Sequence, residues 1–342
     1  FVHTVSAGYV TGAMFVLAIS GYFMLKKRDL PFARRSFAIA SSFGLASILS
    51  VIILGDESGY EIGEVQKVKL AAIEAEWETQ EPPAAFTLIG FPDQEAQETN
   101  YAIRIPYALG LIATRSVTEE VTGLKDLIAE HEMRIREGII AYGLLEKLKA
   151  GDKSPRTLQA FESSVDDLGY GLLLKKYVEN PADATEEQIK MAAANSIPRV
   201  APMFWTFRIM VGLGFLMLIL ISLSFWHSTR GTVEKQKWLL YALLFALPAP
   251  WIACEMGWFV AEFGRQPWSI GGILPTHLSV STRSVSDIYM SLAGFIGFYT
   301  LLLIAEMYLM IRFARLGPSS LHTGRYHFEQ NDASATQQPA QA

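Results

Sequence analysis

The chain has 342 residues, of which 51% are hydrophobic, with a mean hydropathy of +0.24 and a formal net charge of −5. Its apolar residues are clustered, which predicts a membrane protein carrying one polar domain, and the acidic balance offers no basic surface for nucleic acid. The single cysteine, Cys254, excludes an intrachain disulfide and a CxxCH attachment for a c-type haem, and it reads as a small apolar residue.

The first residue is Phe rather than Met, and it opens an apolar run with neither a basic leader nor a small-residue cleavage site. The natural amino terminus is therefore expected upstream. Five stretches reach the ~20 residues that a bilayer requires: 1–25, 37–54, 200–226, 238–263 and 288–311. Two spans thus fall in 1–55, a long loop in 56–199, three spans in 200–316 and a tail in 317–342. The basic clusters are KKRDLPFARR, then Arg230, Lys235 and Lys237, then Arg312, Arg315 and Arg325. If the spans alternate, all three clusters share one side, which the positive-inside rule assigns to the cytoplasm. The long loop and GRQPW (264–268) then face outward. The expected class is an all-α polytopic membrane protein with five transmembrane helices and a large, partly helical periplasmic loop.

Within that loop, VTGLKDLIAEHEMRIREGIIAYGLLEKLKAG has helical apolar periodicity with alternating charge. Pro82, Pro83 and Pro92 mark an extended or turning stretch, and 183–187 is expected to cap a short helix. The tail after Phe328 is too polar to bury a core and reads as disordered.

Several residues are candidates for chemistry. His3 is the only histidine within a span; imidazole is a common axial ligand of haem iron, while the plainer role is an interfacial hydrogen bond. Met210, in FRIMVGLG, offers a thioether that can complete a His/Met low-spin haem, and Arg208 beside it offers a partner for a propionate. Ordinary packing for the Met and snorkelling for the Arg are the plainer roles. Counted from the first inner basic residue at about 1.5 Å per residue, His3, Met210 and Glu262 lie ~35, ~30 and ~38 Å deep, all toward the outer face.

Glu255 and Glu262 stand seven residues apart on one helical face with Trp258 between them, so that face is expected to turn toward protein interior or a cofactor. Arg265 of GRQPW can grip a carboxylate in a bidentate fork. Lys69 and Glu74 would lie about 140° apart on a helix and so would not pair with each other. Each can face a polar ligand, with Glu74 taking a proton, or simply belong to a solvated charged helix.

FVHTVSAGYVTGAMF, GDESGYEIGEVQKVKLAAIEAEW, IPRVAPMFWTFRIM, GWFVAEFGRQPW and FARLGPSSLHTGRYHFEQ together resemble subunit I of the cytochrome bd ubiquinol oxidases, closest to the proteobacterial long-loop type. The resemblance covers nearly the whole chain. It implies a nine-helix subunit with three haems, of which this chain would carry the last five helices. It places His3 and Met210 as axial ligands of the low-spin haem b, with Arg208 beside them. Glu262 falls at one of the two high-spin haems, haem b or haem d, and is assigned to the haem b. Trp258 and Arg265 fall where the haem cluster packs, and Lys69 and Glu74 in the quinol-oxidising loop, the Q-loop.

The function so implied is ubiquinol or menaquinol oxidation at the outer face of the bacterial inner membrane, coupled to four-electron reduction of oxygen to water and a proton motive force. The implied partners are subunit II, a small single-helix subunit and membrane lipid. A haem–copper oxidase would need several intramembrane histidines, and a bc-type cytochrome b would need repeated histidine pairs; neither is present. The alternative is a non-enzymatic transporter or sensor with an outer domain.

Overall fold

The computed structural model describes residues 1–317, so the tail, with Arg325 and the stretch after Phe328, lies outside the described residues. In chain order the elements are α1 (Val2–Leu25), α2 (Leu30–Val65), α3 (Lys67–Glu74), β1 (Phe86–Asp93), β2 (Glu98–Ile105), α4 (Ala108–Ala113), α5 (Leu124–Lys149), α6 (Pro155–Glu162), α7 (Leu168–Leu172) and α8 (Glu186–Ala194). They continue as α9 (Val200–Thr229), α10 (Lys237–Phe245), α11 (Ala249–Phe263), β3 (Trp268–Ile270), β4 (Leu274–Pro275) and α12 (Val285–Leu316), with short 3-10 turns between some of them. Five helices are long and apolar enough to cross a membrane, with α10 and α11 acting as one. The break between those two, at 246–248, falls where Pro248 and Pro250 remove backbone donors.

The chain divides into two compact units. The first comprises residues 1–51, 214–251 and, among the described residues, 282–317. Here α1 buries Val10, Met14, Leu17 and Phe23, and Gly44 lets α2 close on Ala13: a Cβ at Gly44 would lie 2.9 Å from the Ala13 Cβ. The α1–α2 loop reaches the end of α12, where Arg28 donates to the carbonyls of Arg315 and Leu316 at 2.6 Å each.

The second unit comprises residues 52–213 and 252–281. Helix α2 runs on to Val65, past the apolar run that the sequence marks, because a polar helix needs no lipid-facing side chains to keep its backbone bonds. Arg115 holds this extension, pairing with Glu57 and lying 4.5 Å from the Tyr60 ring. Helix α5 buries Leu124, Leu127, His131, Ile135, Gly138 and Ala141, the three-and-four spacing of one helical face. Helix α8 starts at a capping box in which Thr185 and Gln188 satisfy each other's backbone amides.

The stretch around Pro82, Pro83 and Pro92 contains an antiparallel hairpin, β1–β2, that the sequence reading leaves as an extended or turning segment. The hairpin lies along α9. Gln94 at its tip accepts from the Val200 amide at 2.9 Å, Phe91 packs on Trp205 at 5.8 Å, and the Thr87 carbonyl accepts from Arg208 at 2.5 Å.

Candidate functional site

Residues 69–77 are all buried, with Lys69 8% and Glu74 2% exposed. The plainer reading of this segment as a solvated charged helix is therefore corrected. Periodicity shows charge on a short helix but not its cover: Leu70 and Ile73 pack with Leu109, Met203 and Val260, while Ala71 and Trp77 pack with Leu124 and Phe204.

Lys69 and Glu74 find separate partners. The Lys69 ammonium donates to the Ala261 carbonyl at 3.3 Å, beside the Glu262–Arg265 ion pair. Burial lowers the Lys69 pKa, Arg265 lowers it further, and Glu262 opposes both. The Glu74 carboxylate takes a hydrogen bond from Arg208 at 2.7 Å, and the same guanidinium donates to the carbonyls of Ile73 and Thr87. Three aromatic rings surround it: Phe204 at 3.9 Å, Phe86 at 4.9 Å and Phe207 at 5.6 Å. Arg208 thus pairs inside the protein rather than snorkelling. Burial pushes the Glu74 carboxyl upward, against the pull of Arg208.

Glu76 is a member of this group that the sequence reading missed. It is 3% exposed, accepts from Gln80, and burial raises its pKa to about 7. The alternation in EAEWE gives no signal that separates Glu76 from its exposed neighbour Glu78. The distinction arises at Ala75, whose left-handed φ of 52° ends α3 and redirects the chain.

On α11, Trp251, Glu255, Trp258 and Glu262 follow the spacing of one face, Arg265 follows in the turn just past its end, and all are exposed or half-buried within the described chain. Glu262 pairs with Arg265, one turn on. The neighbouring face meets α9 at Gly257, where an added Cβ would stand 3.0 Å from the Met210 sulfur. The second unit therefore carries Lys69, Glu74, Arg208, Met210, Trp258, Glu262 and Arg265, while His3 belongs to the first. The Nδ1 of His3 is buried without a hydrogen-bond partner, an arrangement that costs free energy unless something else engages the ring.

Five membrane-length helices, with a folded polar segment between the second and third, define the class: a helical polytopic membrane subunit whose buried acid–base group lies on that segment. A family model described as cytochrome bd terminal oxidase subunit I matches residues 1–318. Cytochrome bd-II ubiquinol oxidase subunit 1 of Escherichia coli (strain K12) is 46% identical over 323 residues, covering 94% of this chain and 63% of that protein. Cytochrome bd ubiquinol oxidase subunit 1 of Bacillus subtilis (strain 168) is 28% identical, covering 93% of this chain and 56% of that protein. The structure of bd oxidase from Geobacillus thermodenitrificans shares the fold, with a TM-score of 0.64 at 24% identity, over 92% of this chain and 57% of that one. The chain belongs to the cytochrome bd terminal oxidase subunit I family. It spans about three-fifths of the length of the curated relatives it matches.

Proposed function

We propose that the chain works, within its whole subunit, in a respiratory terminal oxidase of the bacterial inner membrane. Ubiquinol or menaquinol would be oxidised at the periplasmic side, beside the segment that holds Lys69 and Glu74, and oxygen would be reduced to water. Two quinols supply the four electrons for each oxygen. Quinol protons leave outward and the protons for water enter from the cytoplasm, so a proton motive force arises without a pump. Subunit II, a small single-helix subunit and lipid complete the assembly.

The observation that carries this reading is the buried acid–base group on one short segment, in a chain 46% identical to a ubiquinol oxidase subunit. Lys69, its ammonium destabilised by burial, can donate a hydrogen bond to a quinol oxygen. Glu74, raised by burial against the pull of Arg208, can receive a quinol proton. Glu76, with a pKa of about 7, is suited to pass a proton onward.

The donor set suits haem. His3 offers an imidazole whose buried Nδ1 has no partner, and Met210 offers a thioether. These two would hold the low-spin haem b, with Arg208 nearby. Glu262, with Trp258 on the open face of α11 and Arg265 just past its end, would serve the high-spin haem b, and haem d would complete the set. When bound, haems supply one-electron transfer and oxygen reduction. A transporter or sensor finds no support in relatives named as oxidase subunits.

The test is His3→Ala in the full-length subunit with its partners. The reduced-minus-oxidised spectrum is expected to lose the low-spin haem band while high-spin absorbance remains. An unchanged band would overturn the ligand assignment.

A further inference from the structure

The β1–β2 hairpin has an order along its length that quinol or haem chemistry does not require. Its register places Phe86 opposite Ile105 and Ile89 opposite Ile103 at one end, and Asp93 opposite Glu98 at the other. At the first end Leu88, Ile89, Ile103 and Ile105 are all exposed, with one charge among them, the exposed Arg104, which alternates with the two isoleucines and interacts with Glu76. In the middle the large exposed side chains are aromatic, beside the exposed Asn100: Phe91 at 56% and Tyr101 at 87%, with ring centroids 6.5 Å apart. At the tip they are acidic: Asp93, Glu95 and Glu98. Apolar, then aromatic, then anionic is the order met on leaving a bilayer from hydrocarbon through headgroups to water.

Helix α9 supplies an independent depth scale. Trp226, with the Arg230 guanidinium 3.9 Å from its ring, marks the inner end of the helix. Twenty residues back from Trp226 is Thr206, about 30 Å along the axis, which is one hydrocarbon thickness. Val200 lies a further ~9 Å out, within the headgroup layer. The hairpin is pinned to this scale at three points. Thr87 meets Arg208 at the hydrocarbon boundary, Phe91 meets Trp205 just outside it, and Gln94 meets Val200 at the outermost level. The apolar end of the hairpin therefore lies at the hydrocarbon boundary, and the acidic tip lies in water.

We propose that the exposed side chains of the β1–β2 hairpin are immersed in the interfacial layer of the outer leaflet, with Ile105 at the ends of the acyl chains, Ile103, Tyr101 and Phe91 among glycerol and headgroups, and Glu95 in water. The occupant of the surface is lipid. The two open edges of an antiparallel pair must stay where water or headgroups can satisfy their backbone groups, so the hairpin reaches the hydrocarbon boundary and goes no deeper, with the Thr87 carbonyl satisfied by Arg208.

The test uses the full-length subunit with its partners in phosphatidylcholine nanodiscs. Bimane is attached at Ile103→Cys, Tyr101→Cys or Glu95→Cys, with the labelled parent protein giving the Cys254 background. All three side chains are exposed, so substitution leaves the packing intact. Lipid brominated near the glycerol end is expected to quench the labels at 101 and 103 at least twofold, with little effect from aqueous iodide, whereas the label at 95 shows the reverse. Iodide quenching at 103 equal to that at 95 would overturn the proposal by placing the face in water. Quenching of 103 by neither agent would overturn it by placing the face against protein. The readout needs neither quinol turnover nor bound haem, so it stands apart from the oxidase reading.

Discussion

Glu74 and Glu76 are two residues apart and have different environments, because the left-handed turn at Ala75 sends one carboxylate to Arg208 and the other to Gln80. Glu76 has a folded-state pKa of about 7 against an ordinary 4.5. The fold therefore binds a proton that the unfolded chain has lost. Its contribution is complete below pH 4.5 and disappears as pH rises through 7, at about 1.4 kcal/mol per unit. Glu76→Gln removes that slope. Against the parent, the variant is expected to gain ~3 kcal/mol of relative stability between pH 4.5 and pH 8, read from denaturation midpoints in detergent; parallel profiles would contradict the assigned proton. The resemblance to the oxidase family points to Lys69, Glu74 and Arg208, but not to their burial or to Glu76. A charge written on a helix shows its angular position, whereas its cover comes from α9, more than a hundred residues further on.

At the scale of elements, apolar length marks all five membrane helices, and apolar periodicity marks α5. The hairpin escapes that reading because bulges in its register break the alternation of FTLIGFPD, and three prolines surround or interrupt it. Where α5 meets α7, no side-chain pattern shows how close the backbones come. A Cβ at Gly138 would overlap the backbone of Gly171 and the carbonyl of Asp167. Arg134 fastens the same contact, donating to Asp167 at 2.5 Å and to the Tyr170 hydroxyl at 3.2 Å. Tyr170 in turn lies edge-on to Trp268 at 5.0 Å, joining α7 to β3, whose first residue closes GRQPW. Gly138→Ala is expected to force these helices apart at about 1–3 kcal/mol. Amide exchange in 165–175 should quicken by a factor of ten or more, while exchange in α1 stays unchanged.

At the scale of the molecule, the chain is five apolar helices with a folded polar segment of its own core, which the sequence shows through composition alone. Helix α12 differs from the other four in having no buried residue among the described ones, so its position depends on its ends and on whatever surrounds it. At the basic end, Arg28 supplies two donors to the last carbonyls, the groups that a helix terminus leaves unsatisfied. Arg28→Ala is expected to fray that turn. Trypsin added to inside-out vesicles should then cleave after Arg312 and Arg315 several-fold faster than in the parent; an equal rate would show that other contacts hold the turn.

Arg208 joins three stretches of chain at one point: the last turn of α3, the first strand of the hairpin, and α9 itself. None of these bonds can be given up singly without leaving a cation or carbonyl stranded among Phe86, Phe204 and Phe207, a penalty of about 3–5 kcal/mol for a charge. Detachment of this part of the loop is therefore all-or-none. By that penalty a state with one bond open alone is held to roughly one molecule in a few hundred to a few thousand, so this part of the loop lets go as one body.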